Sequence, residues 1–194
     1  MKIGLIPLIN PAAPEDKSDK LGPLVEKAVA SIFSEPSQFV SAPPVSDRKQ
    51  FRAELIRLCD EEKCPLVLTL GGTGPRANDI TPDVTMEVVD RKLPGFGEIM
   101  RYYSYERFKV SVLSRAEAGV RGKSLIINLP AQPKPVKFCL RLLQEGIAEA
   151  LEQISGIAPG LRGDEIEVPI DKYLPFLKKL RPKPEPGGEK HPTL

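Results

Sequence analysis

The chain predicts an α/β fold, a three-layer α/β/α sandwich around a mostly parallel central sheet. Two observations carry that expectation. Short, continuously apolar runs (KIGLIPLI at 2–9, PLVLTL at 65–70, SLIINL at 124–129) have the character of strands covered on both faces. Between them, apolar residues recur every three to four positions, as on amphipathic helices. Such strand–helix alternation implies right-handed βαβ units. Sheets of this kind bind ligands beyond the C-terminal ends of their strands.

The elements follow in order. Residues 2–9 open the fold as a buried strand. From Ser18 the pattern turns helical, with Leu21, Leu24, Val25, Ala28, Val29, Ile32 and Phe33 on one stripe. QFVSA (38–42) reads as a short strand closed by Pro43-Pro44. Ser46 or Asp47 caps the next helix, and Asp47 with Gln50 resembles a capping box. Phe51, Leu55, Leu58 and Cys59 form its inward face. After the strand at 65–70 comes the turn Gly71-Gly72-Thr73-Gly74-Pro75. Thr81-Pro82-Asp83 then starts a helix with Pro in its first turn. Pro94–Gly97 reads as a break, with a further helix from about Glu98 to Phe108. KVSVL (109–113) reads as a strand, followed by a short, helical link to Gly119–Gly122. SLIINL is the next strand, and a long helix follows Pro133. Composition shifts after Gly156. Residues 1–156 are therefore expected to form the domain, and 157–194 a C-terminal extension that is mobile from about 181.

Composition bounds the chemistry. The chain has 194 residues, 41% hydrophobic and 28% charged, enough for a core without disulfides or a structural metal. A net charge of +2 gives no field for nucleic acid or a lipid surface. The single histidine, His191, lies in a Pro/Gly/Lys tail, which argues against histidine-based nucleophilic catalysis. Cys59, Cys64 and Cys139 form no CxxC pair, so zinc lacks ligands, and scattered cysteines fit a reducing compartment. Cys59 and Cys139 fall on apolar helix faces, as inert core residues do. No apolar run approaches the ~18–20 residues of a membrane span, and no signal peptide is evident. The expectation is a cytosolic protein acting on small molecules.

Three expected strand ends carry unusual residues: Gly71–Gly74 with Asp79, Ser114-Arg115, and Asn128-Leu129-Pro130 followed by Gln132 and Lys134. A glycine turn exposing backbone N–H groups can hold a phosphate. It is neither a P-loop nor a GxGxxG fingerprint, and the alternative is a plain strand-to-helix connection. Asp83 reads as a dipole partner in its helix, whereas Asp79 precedes the cap. Asp47 either caps its helix or joins Asp79 near the phosphate, a pairing suited to Mg²⁺. Arg76, Arg115, Arg121 and Lys134 are available positive charges.

Taken together, GGTGPRANDITPDVT (71–85), PGFGE (94–98), Met100-Arg101, LSRAEAGVRGKSLIINLP (113–130) and Gln132-Pro133-Lys134 resemble the molybdopterin adenylyltransferase family, the bacterial MogA and MoaB group. The resemblance covers about residues 1–156. It implies a trimeric α/β/α domain in which Mg²⁺-ATP and molybdopterin give adenylyl-molybdopterin and pyrophosphate. A molybdenum insertase is an implied partner. It also implies roles: Gly71, Gly72, Thr73 and Gly74 as phosphate loop, Asp47 and Asp79 as catalytic or Mg²⁺-binding acids, and Ser114, Arg115, Asn128, Pro130 and Lys134 at the substrates. Thr81-Pro82-Asp83, Pro94 and Asn128–Pro130 with Gln132 lean towards the MogA type. Two positions depart from the family: Ala131 stands where glycine is usual, and Asn10-Pro11-Ala12 where Ser-Asp-Arg is usual. Those departures leave open a non-catalytic molybdopterin-binding or carrier module. A nucleotide-pyrophosphate hydrolase of related fold is a third alternative.

Overall fold

The computed structural model describes residues 1–9 and 21–162. Among these, six strands form one sheet: β1 (Lys2–Pro7), β2 (Gln38–Ser41), β3 (Leu66–Leu70), β4 (Arg91–Lys92), β5 (Ala118–Arg121) and β6 (Ser124–Leu129). Their spatial order is β2-β1-β3-β6-β5-β4. The pairs β1–β2, β1–β3 and β3–β6 are parallel, while β5–β6 and β4–β5 are antiparallel. The sheet is thus mixed but mostly parallel, as the sequence predicts. The parts of the sequence reading that fall on residues 10–20 and 163–194, including Ser18, the Asn10–Ala12 loop, the expected mobile tail and His191, lie outside the described residues.

The helices are α1 (Gly22–Ile32), α2 (Arg48–Ile56), α3 (Thr81–Val88), α4 (Pro94–Arg107) and α5 (Pro133–Ser155). A wider π-helical turn, Arg57–Glu61, extends α2. Alternation along the strands sorts the side chains onto two faces. Ile3, Leu5, Leu66, Leu68, Leu70, Leu125, Ile127 and Leu129 join α1, α4 and α5 in one buried layer. Ile6, Val67 and Ile126 join α2 and α3 in the other. Helix α5 ends at Gly156, whose φ of 74° is the left-handed conformation that glycine adopts at little cost. Past that point Leu161 pairs with Phe33 and the Ser34 N–H donates to the Gly160 carbonyl, so the described chain beyond α5 lies on the end of α1.

Three element assignments from sequence are corrected. KVSVL (109–113) is a 3₁₀ segment, not a strand. The edge beside β6 that it needed is filled by residues 118–121, which form β5 instead of a helical link. Consequently Val110, Val112 and Leu113 stay more than half exposed. Helix α4 begins at Pro94, not Glu98. Proline in the first turn is tolerated because its missing N–H has no intrahelical partner there. The interruption after α3 is instead made by β4.

Candidate functional site

Beyond β3, the chain turns twice through glycine. The Gly71 N–H continues the ladder to the Leu129 carbonyl at 3.0 Å. Gly71 and Gly72 then take φ values of 90° and 63°. A Cβ on Gly72 would collide with Leu8 Cδ2 and lie 2.6 Å from Thr81 Oγ1, so glycine is required by both conformation and space. The Thr81 hydroxyl donates to the Gly71 carbonyl at 2.8 Å, and its N–H to the Gly72 carbonyl at 3.1 Å. These bonds fold the loop back onto the start of α3. Among the described residues, the N–H groups of Gly72, Thr73 and Gly74 have no backbone acceptor.

Asp79 closes the loop. Its Oδ2 accepts the Arg76 N–H at 2.9 Å, and its own N–H donates to the Arg76 carbonyl at 2.9 Å. A Cβ on Gly74 would lie only 2.6 Å from that oxygen, so the carboxylate rests against the bare glycine.

The loop opens onto a cavity of about 680 Å³. Gly72, Thr73, Gly74, Arg76 and Asp79 line one side, Ser114 and Ala116 another, and Pro130, Ala131 and Gln132 a third. The C-terminal ends of β3 and β6 therefore converge here, as expected for an open α/β sheet. Ser114 Oγ accepts the Ala116 N–H at 3.3 Å. Among the described residues only Lys63 combines a side chain with positive φ, so Ala131 holds an ordinary backbone conformation without strain.

Five of the expected site residues do not line this cavity. Gly71 lies beneath the loop, at the end of the ladder. Asn128 is fully buried: its Nδ2 donates to Thr69 Oγ1 (3.1 Å) and Thr85 Oγ1 (2.9 Å), and its Oδ1 accepts the Glu117 N–H (3.3 Å). The Arg115 guanidinium turns into the loop's own structure: Nε donates to the Gly74 carbonyl at 2.9 Å, and both Nη groups grip Asp83 at 2.9 and 3.0 Å. Lys134 is exposed in the first turn of α5. A cation at a helix N-terminus opposes the helix dipole, so it does not stabilise this helix. Asp47 is exposed and caps α2, its Oδ1 accepting the Lys49 and Gln50 N–H groups at 2.8 and 3.0 Å. It stands two residues beyond Val45, which pairs with Leu8 beside Gly72, and so on the same edge of the sheet.

Sequence reasoning missed the far wall. Phe108, Val110, Ser111 and Leu113 line the cavity, with Ser104 and Cys139 buried at its floor. The signal was obscured because a strand was expected at 109–113. Arg101 also lines the cavity and is held by Nη1 to the Ala116 carbonyl (2.7 Å) and Nη2 to Glu117 (3.2 Å). Burial pushes the Cys139 thiol up to about 11 and leaves it protonated, against an opposing hydrogen bond from Ser104. Cys139 is therefore packing material, not a nucleophile.

Among the described residues, no three His, Cys, Asp or Glu side chains converge as a metal cage. Asp79 is the one carboxylate among the described residues that line the cavity.

Fold and cavity define an α/β domain that presents a glycine turn and an acid beyond its strand ends. The chain belongs to the molybdopterin-binding domain family: the model described as "Probable molybdopterin binding domain" matches residues 11–151. It is similar to a molybdopterin adenylyltransferase of Helicobacter pylori, 38% identical over 154 residues, which cover 79% of this chain and 88% of the relative. Similarity to a Haemophilus influenzae molybdopterin adenylyltransferase runs over 191 residues at 34% identity, covering 94% of this chain and 93% of the relative. The crystal structure of the molybdopterin biosynthesis enzyme MoaB from Thermus thermophilus superposes with a TM-score of 0.71 at 29% identity, covering 81% of this chain and 98% of that one.

Proposed function

We propose that this protein is an enzyme of molybdenum cofactor biosynthesis, a nucleotidyltransferase that adenylylates molybdopterin. The terminal phosphate oxygen of the pterin attacks the α-phosphorus of Mg²⁺-ATP. A new P–O bond forms as the bond to the β-phosphate bridge breaks, giving adenylyl-molybdopterin and pyrophosphate. The observation that carries this reading is the joining of the Gly72–Gly74 amides, Asp79 and Ser114 around one large cavity, in a chain so similar to curated adenylyltransferases.

The chain's own residues act through position and charge, which suffices for phosphoryl and nucleotidyl transfer. Gly72, Thr73 and Gly74 direct N–H groups at a phosphate, and Gly71 makes the turn that aims them. Arg76 and Lys134 add charge from either side of the opening. Asp79, which lines the cavity, would hold the Mg²⁺ brought by ATP, and Asp47 at the start of α2 would be the second acid. Ser114 and Pro130 fix the substrate against the far wall, while Asn128 braces β6 from beneath.

Ala131, one of the two departures that left a non-catalytic carrier open, holds an ordinary backbone conformation; the other, Asn10-Pro11-Ala12, lies outside the described residues. Ile99, Tyr102, Tyr105, Val110, Val112 and Leu113 form an exposed apolar set on α4 and the 3₁₀ segment. That set suits contact between copies in a homotrimer, and a molybdenum insertase is the partner that would take the product. Among the described residues, no helix is long and apolar enough to cross a membrane; a cytoplasmic location agrees with substrates of this kind.

The test is direct. Purified protein with Mg²⁺, ATP and molybdopterin should release pyrophosphate and form adenylyl-molybdopterin. Asp79→Asn should slow that on the order of 10²-fold with an unchanged melting temperature. Pterin binding without pyrophosphate release would leave the carrier reading in its place.

A further inference from the structure

We propose that Arg115 is a positioning residue, acting through the glycine loop and Asp79 instead of binding the transferred phosphates. The inference rests on the transferase reading above and concerns how its site is held in shape.

Arg115 is committed to the β3–α3 loop and the first turn of α3 by its backbone N–H and all three guanidinium nitrogens. Its N–H donates to the Thr73 carbonyl at 2.7 Å, and its Nε to the Gly74 carbonyl at 2.9 Å. Nη2 donates to the Asp79 carbonyl. Nη1 and Nη2 together hold the Asp83 carboxylate in a two-pronged pair, at 2.9 and 3.0 Å. The guanidinium thus spans the loop from Gly74 to the first turn of α3. Its charge is already met by a carboxylate, so an incoming phosphate would compete with Asp83 for it. The cavity lining agrees: Ser114 and Ala116 reach the space, and Arg115 between them does not.

The consequence is geometric. Thr73, Gly74 and Asp79 all line the cavity and are all anchored by this one residue, which follows Ser114 on the opposite wall. Arg115 therefore fixes the separation between the loop and Ser114. Only a planar fork with donors along two edges can serve two carbonyls from one and a bidentate carboxylate from the other; a lysine ammonium cannot.

The test compares Arg115→Ala, Arg115→Lys, Asp83→Asn and the double variant Arg115→Ala/Asp83→Asn in the full chain, with Mg²⁺-ATP and molybdopterin as substrates. Arg57→Ala is the control. It loses ion pairs to Glu54 and Glu62 near the start of β1, at the end of the strands away from the cavity. The expected result is a kcat about tenfold or more lower in Arg115→Ala, partly lowered in Asp83→Asn, with both KM values within about threefold. The double variant should be no slower than Arg115→Ala, since the two act as one unit. Lysine should not rescue. Amide hydrogen exchange should quicken across Gly74–Asp79 while β3 and β6 stay protected. A tenfold rise in KM for ATP with kcat retained and Asp83→Asn silent would overturn the proposal and make Arg115 a phosphate ligand. Unchanged exchange across Gly74–Asp79 in Arg115→Ala would overturn it as well, whatever the activity. A wild-type protein with no transferase activity would instead sink the reading on which it rests. Should Arg115→Ala fail to fold, Asp83→Asn and Arg115→Lys provide the same comparisons.

Discussion

Asn128 serves the cavity without touching anything inside it. Its amide joins the hydroxyls of Thr69 on β3 and Thr85 on α3, and its carbonyl oxygen takes the N–H of Glu117 just before β5. Four segments therefore meet at one side chain with no exposed surface. Asn128→Ala would leave two hydroxyls and an N–H without partners in the core. The expected cost is about 2–3 kcal/mol, read as a lower urea midpoint with an unchanged slope. A neutral result would show that water replaces the amide. Gly72→Ala should also destabilise, by about 1–3 kcal/mol or more, because both its φ and its contacts with Leu8 and Thr81 exclude a methyl group. At this scale, the sequence drew attention both to residues that line the cavity, such as Gly72–Gly74, Asp79 and Ser114, and to others, such as Asn128 and Arg115, that do not. The glycine turn and Asp79 were legible because a glycine run straight after an apolar strand, with an acid ahead of the next helix start, stands out whether it serves the loop or a ligand. The hydrogen-bond partners of Asn128 and Arg115 were not, because a polar residue reads the same whether its partners are protein or ligand.

Helix α4 and the segment after it show the limits of local pattern. Lys-Val-Ser-Val-Leu alternates as a strand would, yet a strand needs a neighbour, and β5 has already paired with β6. Pattern records what a segment favours, while the sheet's remaining edges decide what it becomes. Strands β1, β3 and β6 were legible because they are apolar without interruption. Strand β5 was not, because AGVR has two small residues and only four positions. Close packing of α4 yields an element-scale prediction. Gly97 is buried, and a Cβ there would meet the Ala116 carbonyl and sit 3.0 Å from Arg101 Nη1. Although alanine favours a helix by about 0.8–1.0 kcal/mol over glycine, Gly97→Ala should be destabilising by about 1 kcal/mol or more in chemical denaturation. A more stable variant would mean that α4 slides freely on β5.

Across the whole molecule, stability should depend on pH from both ends. The Arg121 guanidinium hydrogen-bonds Asp60 and holds its carboxyl below the usual range, and Lys2 does the same for Glu62. Because their folded values are depressed, these acids contribute stability above their unfolded pKa values, near 4. That contribution is lost as pH falls through the folded ones. The melting temperature should drop below about pH 4, and less steeply in Asp60→Asn/Glu62→Gln; parallel profiles would refute the assignment. At the alkaline end, burial pushes Cys59 and Cys139 up to about 11 and raises Cys64 too. Their contribution is complete below the unfolded thiol value of about 8.5 and fades as pH rises through the folded one. Cys59 and Cys64, buried away from the cavity, should resist iodoacetamide at pH 8 in the native protein and react once it is unfolded in urea. Modification of either in the folded chain would mean that the core opens.

The β4 margin of the sheet differs from its centre in a way that bears on association between chains. Strand β4 has only two residues, Arg91 and Lys92, both exposed cations. A second chain laying a strand along that margin would find almost no backbone to pair with and would press on positive charge. Neutralising the margin with Arg91→Val and Lys92→Val should therefore promote fibrous, dye-binding deposits on prolonged incubation, while the parent protein stays clear.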